Sequence, residues 1–203
     1  MTEVGSSIEI AARYIIRGEV VAFPTETSYG LGASIYNEMG LRRIYEIKKR
    51  PLSKPLLVLI SRVEWLHEIT NSITPYERRL IERFWPGPLT ILFDAKDGLA
   101  QYLKNKRGQV AVRLTAHETA RRLIDACGVP ITGTSANLSG HTPAKSAHEV
   151  LMGLDIQGGA LAYVLDGGEL PPGPPSTIVD PSTTPCTILR RGAVSEEDIL
   201  AVH

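Results

Sequence analysis

Apolar residues recur at helical spacing over residues 7–17, where Ile8, Ala11, Ala12, Ile15 and Ile16 fall on one face and Gly18 follows as a stop. Residues 19–23 (EVVAF) form a short β-branched run, the pattern of a strand. The next segment, 24–34 (PTETSYGLGAS), carries a proline and two glycines and reads as a loop. Asn37 stands where it can cap a second helix reaching Lys49, with Leu41, Ile44, Tyr45 and Lys48 on one side and Pro51 beyond its end. Residues 56–60 (LLVLI) are continuously apolar, as in a strand covered on both faces.

Further along, Ser61/Glu64, Thr74/Glu77, Thr115/Glu118 and Ser146/Glu149 have the spacing of a capping box, and each precedes a candidate helix. Strands are expected at 89–93, 110–114, 130–133, 161–165, 177–179 and 187–190. In 110–114, Val110, Val112 and Leu114 point one way and Ala111 and Arg113 the other. Helices and strands alternate early and strands follow one another late, which predicts an α/β fold with a mixed sheet in one domain spanning 1–203. The stretch 167–175 (GGELPPGPP) is the expected mobile loop.

Composition narrows the class. At 43% hydrophobic and 22% charged, the 203 residues have the balance of a globular chain rather than a disordered one. Lys plus Arg and Asp plus Glu are 22 each, so a nucleic-acid binder that uses its whole surface is excluded, although a local basic patch is not. No apolar run approaches the roughly 18–20 residues of a membrane span. Residues 1–5 lack a basic start followed by an apolar core, so no secretory signal is expected and the expected location is cytoplasmic. Cys127 and Cys186 are expected as buried thiols. The five histidines form no metal-spaced pair, so no protein metal site is expected.

Candidate chemistry concentrates in a few segments. Between Arg42 and Lys54, six basic residues stand against one acid, Glu46. A solvated helix face accounts for such a run. An anion clamp accounts for it too, since Lys49, Arg50 and Lys54 lie where Pro51 and Pro55 stiffen the backbone. Residues 132–140 (TGTSANLSG) follow a predicted strand with small polar side chains, suited either to a turn or to close approach of a ligand. Pro24-Thr25-Glu26-Thr27 also follows a strand, where open α/β sheets bind ligands. No P-loop, dinucleotide fingerprint, nucleophile elbow or carboxylate dyad is present. Anion and hydroxyl binders without a nucleophile or tuned base suit a reaction in which the substrates supply the nucleophile and the protein supplies position and charge.

These segments together resemble the YrdC-like family over nearly the whole chain, from about Ala22 to Gly192. The resemblance rests on Phe23-Pro24-Thr25-Glu26-Thr27-x-Tyr29-Gly30-Leu31-Gly32, Lys48-x-Arg50-Pro51 with Lys54-Pro55-Leu56, and Trp85-Pro86-Gly87-Pro88-Leu89-Thr90. It continues through Val112-Arg113, Ser135-Ala136-Asn137, Ser176-Thr177 and Leu189-Arg190. It implies a twisted open α/β sheet flanked by helices with a concave basic cavity. It also implies synthesis of L-threonylcarbamoyl-AMP and pyrophosphate from L-threonine, bicarbonate or CO2, and ATP with Mg2+. The product would pass to a separate transferase complex that modifies an adenosine in tRNA.

By the same resemblance, Thr27, Arg113 and Ser176 would hold L-threonine, with Arg113 on its carboxylate. Arg50, Lys54, Asn137 and Arg190, with a weaker part for Lys145, would contact ATP. Ser135 would lie between the two ligands, and Lys48 and Arg50 would act at the phosphates. Some members place a histidine against threonine where this chain has Leu59, and longer members carry a second domain, so this chain matches the short form. An RNA-binding module using the same basic cavity for tRNA or double-stranded RNA is the alternative, and an inactive paralogue ranks last because Lys-x-Arg and Ser-x-Asn are both kept.

Overall fold

The Ser7 hydroxyl accepts the Ile10 amide at 3.2 Å and starts α1 (Ile8–Ile16). Ile8, Ala11, Ala12 and Ile15 are buried, whereas Ile16 is 60% exposed, so the buried stripe is narrower than its periodicity predicts. The computed structural model describes residues 2–154 and 161–202. In it α1 packs against α4 (Glu118–Cys127) over the strands. Asn37 caps α2 (Glu38–Lys48) by accepting the Gly40 amide at 2.9 Å, as its position predicts.

The strands divide into two mixed sheets. One is five-stranded, in the order β1 (Glu3–Gly5), β9 (Tyr163–Leu165), β2 (Val21–Pro24), β3 (Tyr29–Gly32), β8 (Thr134–Ser135). The other is six-stranded, in the order β11 (Thr187–Arg190), β10 (Thr177–Asp180), β5 (Leu89–Asp94), β6 (Gln109–Leu114), β4 (Val58–Ile60), β7 (Ile131–Thr132). Each sheet contains both parallel and antiparallel pairs. Both apolar clusters draw residues from both sheets; Ala22 packs with Val112 in one, Phe23 with Leu59 in the other. The mixed α/β class predicted above therefore holds, with two sheets in place of one.

Two departures are instructive. The segment read as a loop contains β3, antiparallel to β2. Its glycines serve packing: a Cβ on Gly32 would lie 2.8 Å from the Phe23 ring. The strand expected at 130–133 breaks at Gly133, where the chain steps from one sheet to the other as β7 and then β8. A Cβ there would lie 2.3 Å from Leu59, which is completely buried.

The four capping boxes separate into kinds. Before α3 (Pro75–Phe84) the box is complete: Thr74 Oγ1 accepts from the Glu77 amide at 3.2 Å, and Glu77 Oε2 accepts from the Thr74 amide at 2.6 Å. Before α5 (Ala147–Gly153) only Ser146 caps, because Glu149 Oε2 accepts from the Lys145 amide. The other two hydroxyls are drawn elsewhere, Ser61 to Asp125 and Thr115 to Glu26. A short 3-10 turn follows Ser61, and α4 starts from His117 without a side-chain cap. The structure adds α6 (Glu196–Leu200), capped by Ser195. Both cysteines are buried and outside any disulfide. Among the described residues no helix is long and apolar enough to cross a membrane.

Candidate active site

Alternation along β6 sends Val110 and Val112 into the core and Ala111 and Arg113 into a cavity of about 830 Å³. The loop after β2 brings Thr27 to it, the segment after α2 brings Arg50 and Lys54, and β8 brings Ser135. Ser176, just before β10, and Arg190, at the end of β11, line it as well. Lys145 enters from the segment before α5. Eight of the residues that the sequence points to, from seven separate segments, thus share one cavity. A second, shallower cavity of about 560 Å³ beside the 63–68 turn holds none of them.

Arg113 is 3% exposed. Its Nη1 donates to Thr27 Oγ1 at 3.3 Å, and its Nε lies 3.5 Å from Glu26 Oε1. Burial lowers its pKa, and the Glu26 charge opposes that shift. Arg190 is lowered by burial and then by the like charge of Arg113, so the two guanidiniums sense one another. Arg50 is lowered by burial as well, and its donors are partly fixed: Nε to the Lys54 carbonyl and Nη2 to the Pro55 carbonyl, both at 2.9 Å. Partly desolvated cations converging on one concavity raise the local concentration of anions. Ser135 donates to Asn137 Oδ1 at 2.6 Å, and the Ser176 hydroxyl pairs with Thr90 at 2.9 Å.

Two residues take different places from those expected. Lys48 is 1% exposed and lies under the cavity floor. Its Nζ donates to the Ser135 carbonyl, to the Asn137 carbonyl at 2.8 Å and to Asn137 Oδ1 at 3.2 Å. Burial, reinforced by Arg50, lowers its pKa to about 7. Asn137 is buried too, its Nδ2 engaged by the Leu138 and His141 carbonyls. Neither side chain lines the cavity: Lys48 Nζ and Asn137 Nδ2 are taken by backbone carbonyls, and Asn137 Oδ1 accepts from Ser135 and Lys48.

Lys145 bridges two loops, donating to the Thr27 carbonyl at 2.6 Å and the Pro171 carbonyl at 3.2 Å. With the Tyr29 hydroxyl, which donates to the Gly168 carbonyl at 2.8 Å, it ties down the segment predicted to be mobile. Leu59 is buried against Gly133 and does not line the cavity. Of the basic residues of 42–54, Arg42 pairs with Glu46 on the outer helix face, Lys48 is buried, and Arg50 and the exposed Lys54 line the cavity. Sequence reasoning passed over Glu26 as a site residue, since nothing local marks an acidic loop residue as the partner of an arginine on a distant strand.

Residues 13–192 match the Sua5, YciO and YrdC family model, described as telomere recombination. The threonylcarbamoyl-AMP synthase of Pyrococcus abyssi is 40% identical over 192 residues, covering 95% of this chain and 56% of that protein. The chain therefore spans little more than half the length of that relative, and 55% of the synthase from Bacillus subtilis. The synthase of Thiobacillus denitrificans is 38% identical over 170 residues, covering 84% of this chain and 88% of that one. The crystal structure of Pyrococcus abyssi Sua5 complexed with L-threonine superposes with a TM-score of 0.91 at 37% identity, covering 100% of this chain and 60% of that one.

Proposed function

The chain belongs to the Sua5, YciO and YrdC family, and from that premise we propose that it makes L-threonylcarbamoyl-AMP and pyrophosphate from L-threonine, bicarbonate and ATP. The synthase activity for which the relatives are named supports the reading. So does one observation above all: the buried Arg113 stands beside Thr27 in a cavity shared with Arg50, Lys54 and Arg190. In this reading Arg113 anchors a carboxylate and the other cations bind phosphate in the same cavity.

In this account the threonine amine attacks CO2 released by dehydration of bicarbonate, loses a proton and becomes a carbamate. A carbamate oxygen attacks the α-phosphorus of ATP, the bond to the bridging oxygen breaks, and pyrophosphate leaves with the electron pair. The protein need supply no nucleophile. Arg113, Thr27 and Ser176 hold threonine; Arg50, Lys54, Arg190 and Lys145 stabilise charge on the phosphates as it builds; Ser135 sits between the two ligands. Lys48 and Asn137 act by fixing residues 135–137. ATP enters as its magnesium complex. Among the described residues no three metal-binding side chains gather, so the phosphates carry the ion in this proposal. The product then goes to a transferase that modifies tRNA.

The test is pyrophosphate release from ATP and Mg2+ with threonine, bicarbonate, both or neither. Release that needs both is expected. Release indifferent to threonine would overturn the reading.

A further inference from the structure

We propose that Glu26 is a positioning residue for amino-acid binding: it fixes the Arg113 guanidinium so that one nitrogen is held for the substrate carboxylate. This rests on the reading given above. Glu26 and Thr27 are adjacent in sequence and address the same guanidinium, Glu26 at Nε and Thr27 at Nη1. Nη2 is left without a hydrogen bond among the described residues, on a side chain that lines the cavity. Glu26 does not line the cavity, so it acts through Arg113.

The pair is unusual in its slack. Glu26 Oε1 and Arg113 Nε are both buried and have no hydrogen-bond partner, though they face each other at 3.5 Å. The attraction is one of charge, in a place where a lone buried charge is costly. The other carboxylate oxygen is held firmly, since Thr115 Oγ1 donates to Glu26 Oε2 at 2.5 Å. Thr115 therefore aims the carboxylate, and the carboxylate aims the arginine. The same hydroxyl also accepts the His117 amide at 3.2 Å, so Thr115 joins Glu26 to the start of α4. His117, two residues on, has a buried Nδ1 without a partner and also senses the Glu26 charge. Glu26 thus stands beside an arginine, a histidine and two threonines.

The experiment compares wild type, Glu26→Gln, Thr115→Val and Thr115→Ser by steady-state kinetics and by calorimetric titration with L-threonine. Glu26→Gln is expected to raise the threonine KM and Kd by about 10- to 100-fold, the scale of one charge-assisted contact. The ATP KM is expected to change by less than about threefold, because the phosphate-binding cations are untouched; a purely structural role would move both. Thr115→Val is expected to raise the threonine KM by several-fold and Thr115→Ser to restore it. Should Glu26→Gln not fold, the two Thr115 variants decide alone. A threonine KM unchanged or lowered in Glu26→Gln, or in Thr115→Val where that pair decides, overturns the assignment while wild-type binding leaves the proposed function standing. Wild type that neither binds threonine nor releases pyrophosphate overturns both.

Discussion

Arg190 grips Ser176 at three points: Nε and Nη2 donate to its carbonyl at 3.0 and 2.7 Å, and Nη2 donates to its hydroxyl at 2.8 Å. The end of β11 is thereby tied to the start of β10, and the Ser176 hydroxyl is oriented between Arg190 and Thr90. Lysine, a single point charge on a flexible stem, cannot reproduce a planar fork that reaches two atoms at once. Arg190→Lys is therefore expected to lose most of the activity despite keeping the charge. Retention of wild-type kcat/KM in that variant would show that charge alone suffices.

The proposed function assigns Arg50 to the phosphates and Arg113 to the threonine carboxylate, so their variants should separate. Arg50→Ala is expected to raise the barrier by about 2–4 kcal/mol, the loss of one preorganised charge-stabilising group. Arg113→Ala is expected to raise the threonine KM far more than the ATP KM. Equal effects on both constants from Arg113→Ala would contradict its place at the carboxylate.

Lys48 should leave a mark on stability against pH. Burial lowers its pKa to about 7 in the folded chain, against roughly 10.4 for a free lysine. Below about 7 the group is charged in both states, and folding carries the full cost of burying it. Between the two values the unfolded chain binds the proton and the folded chain does not, so this component of stability rises with pH. Urea midpoints of wild type and Lys48→Met at pH 6 and pH 9 check it. The wild-type stability relative to the variant is expected to increase with pH, and a constant difference would contradict the buried titration.

Gly133 is where the chain passes between sheets against a buried Leu59. Gly133→Ala is expected to destabilise by about 1–3 kcal/mol, the usual cost of overpacking. Adding Leu59→Ala should recover part of that loss, read by denaturant unfolding of the single and double variants. Additive losses would show that Leu59 is not the obstruction.

Local signals carried much of the fold. The cap at Asn37, the complete box at Thr74 and Glu77, and the alternation of 110–114 all act within a few residues, and all appear in the structure. β3 was hidden because Gly30 and Gly32 look like turn residues until Phe23 lies across from them. The division into two sheets turns on Gly133, whose reason for being glycine is Leu59, distant in sequence. Resemblance picked out residues that gather in one cavity, but not which of them line it. Lys48 and Asn137 do not line it because backbone carbonyls claim their donor nitrogens. Glu26, although within the candidate segment 24–27, received no role because its partner lies on a distant strand.

The central claim is attack at the α-phosphorus by a threonine carbamate. Its most direct measurement follows ATP labelled at the α- or the γ-phosphate, with threonine, bicarbonate and Mg2+, and identifies the products by mass. The account predicts that the α-label appears in a threonylcarbamoyl adenylate and the γ-label in pyrophosphate, with no product when threonine or bicarbonate is left out. Release of the γ-label as orthophosphate, or an adenylate that lacks the threonine mass, would contradict it.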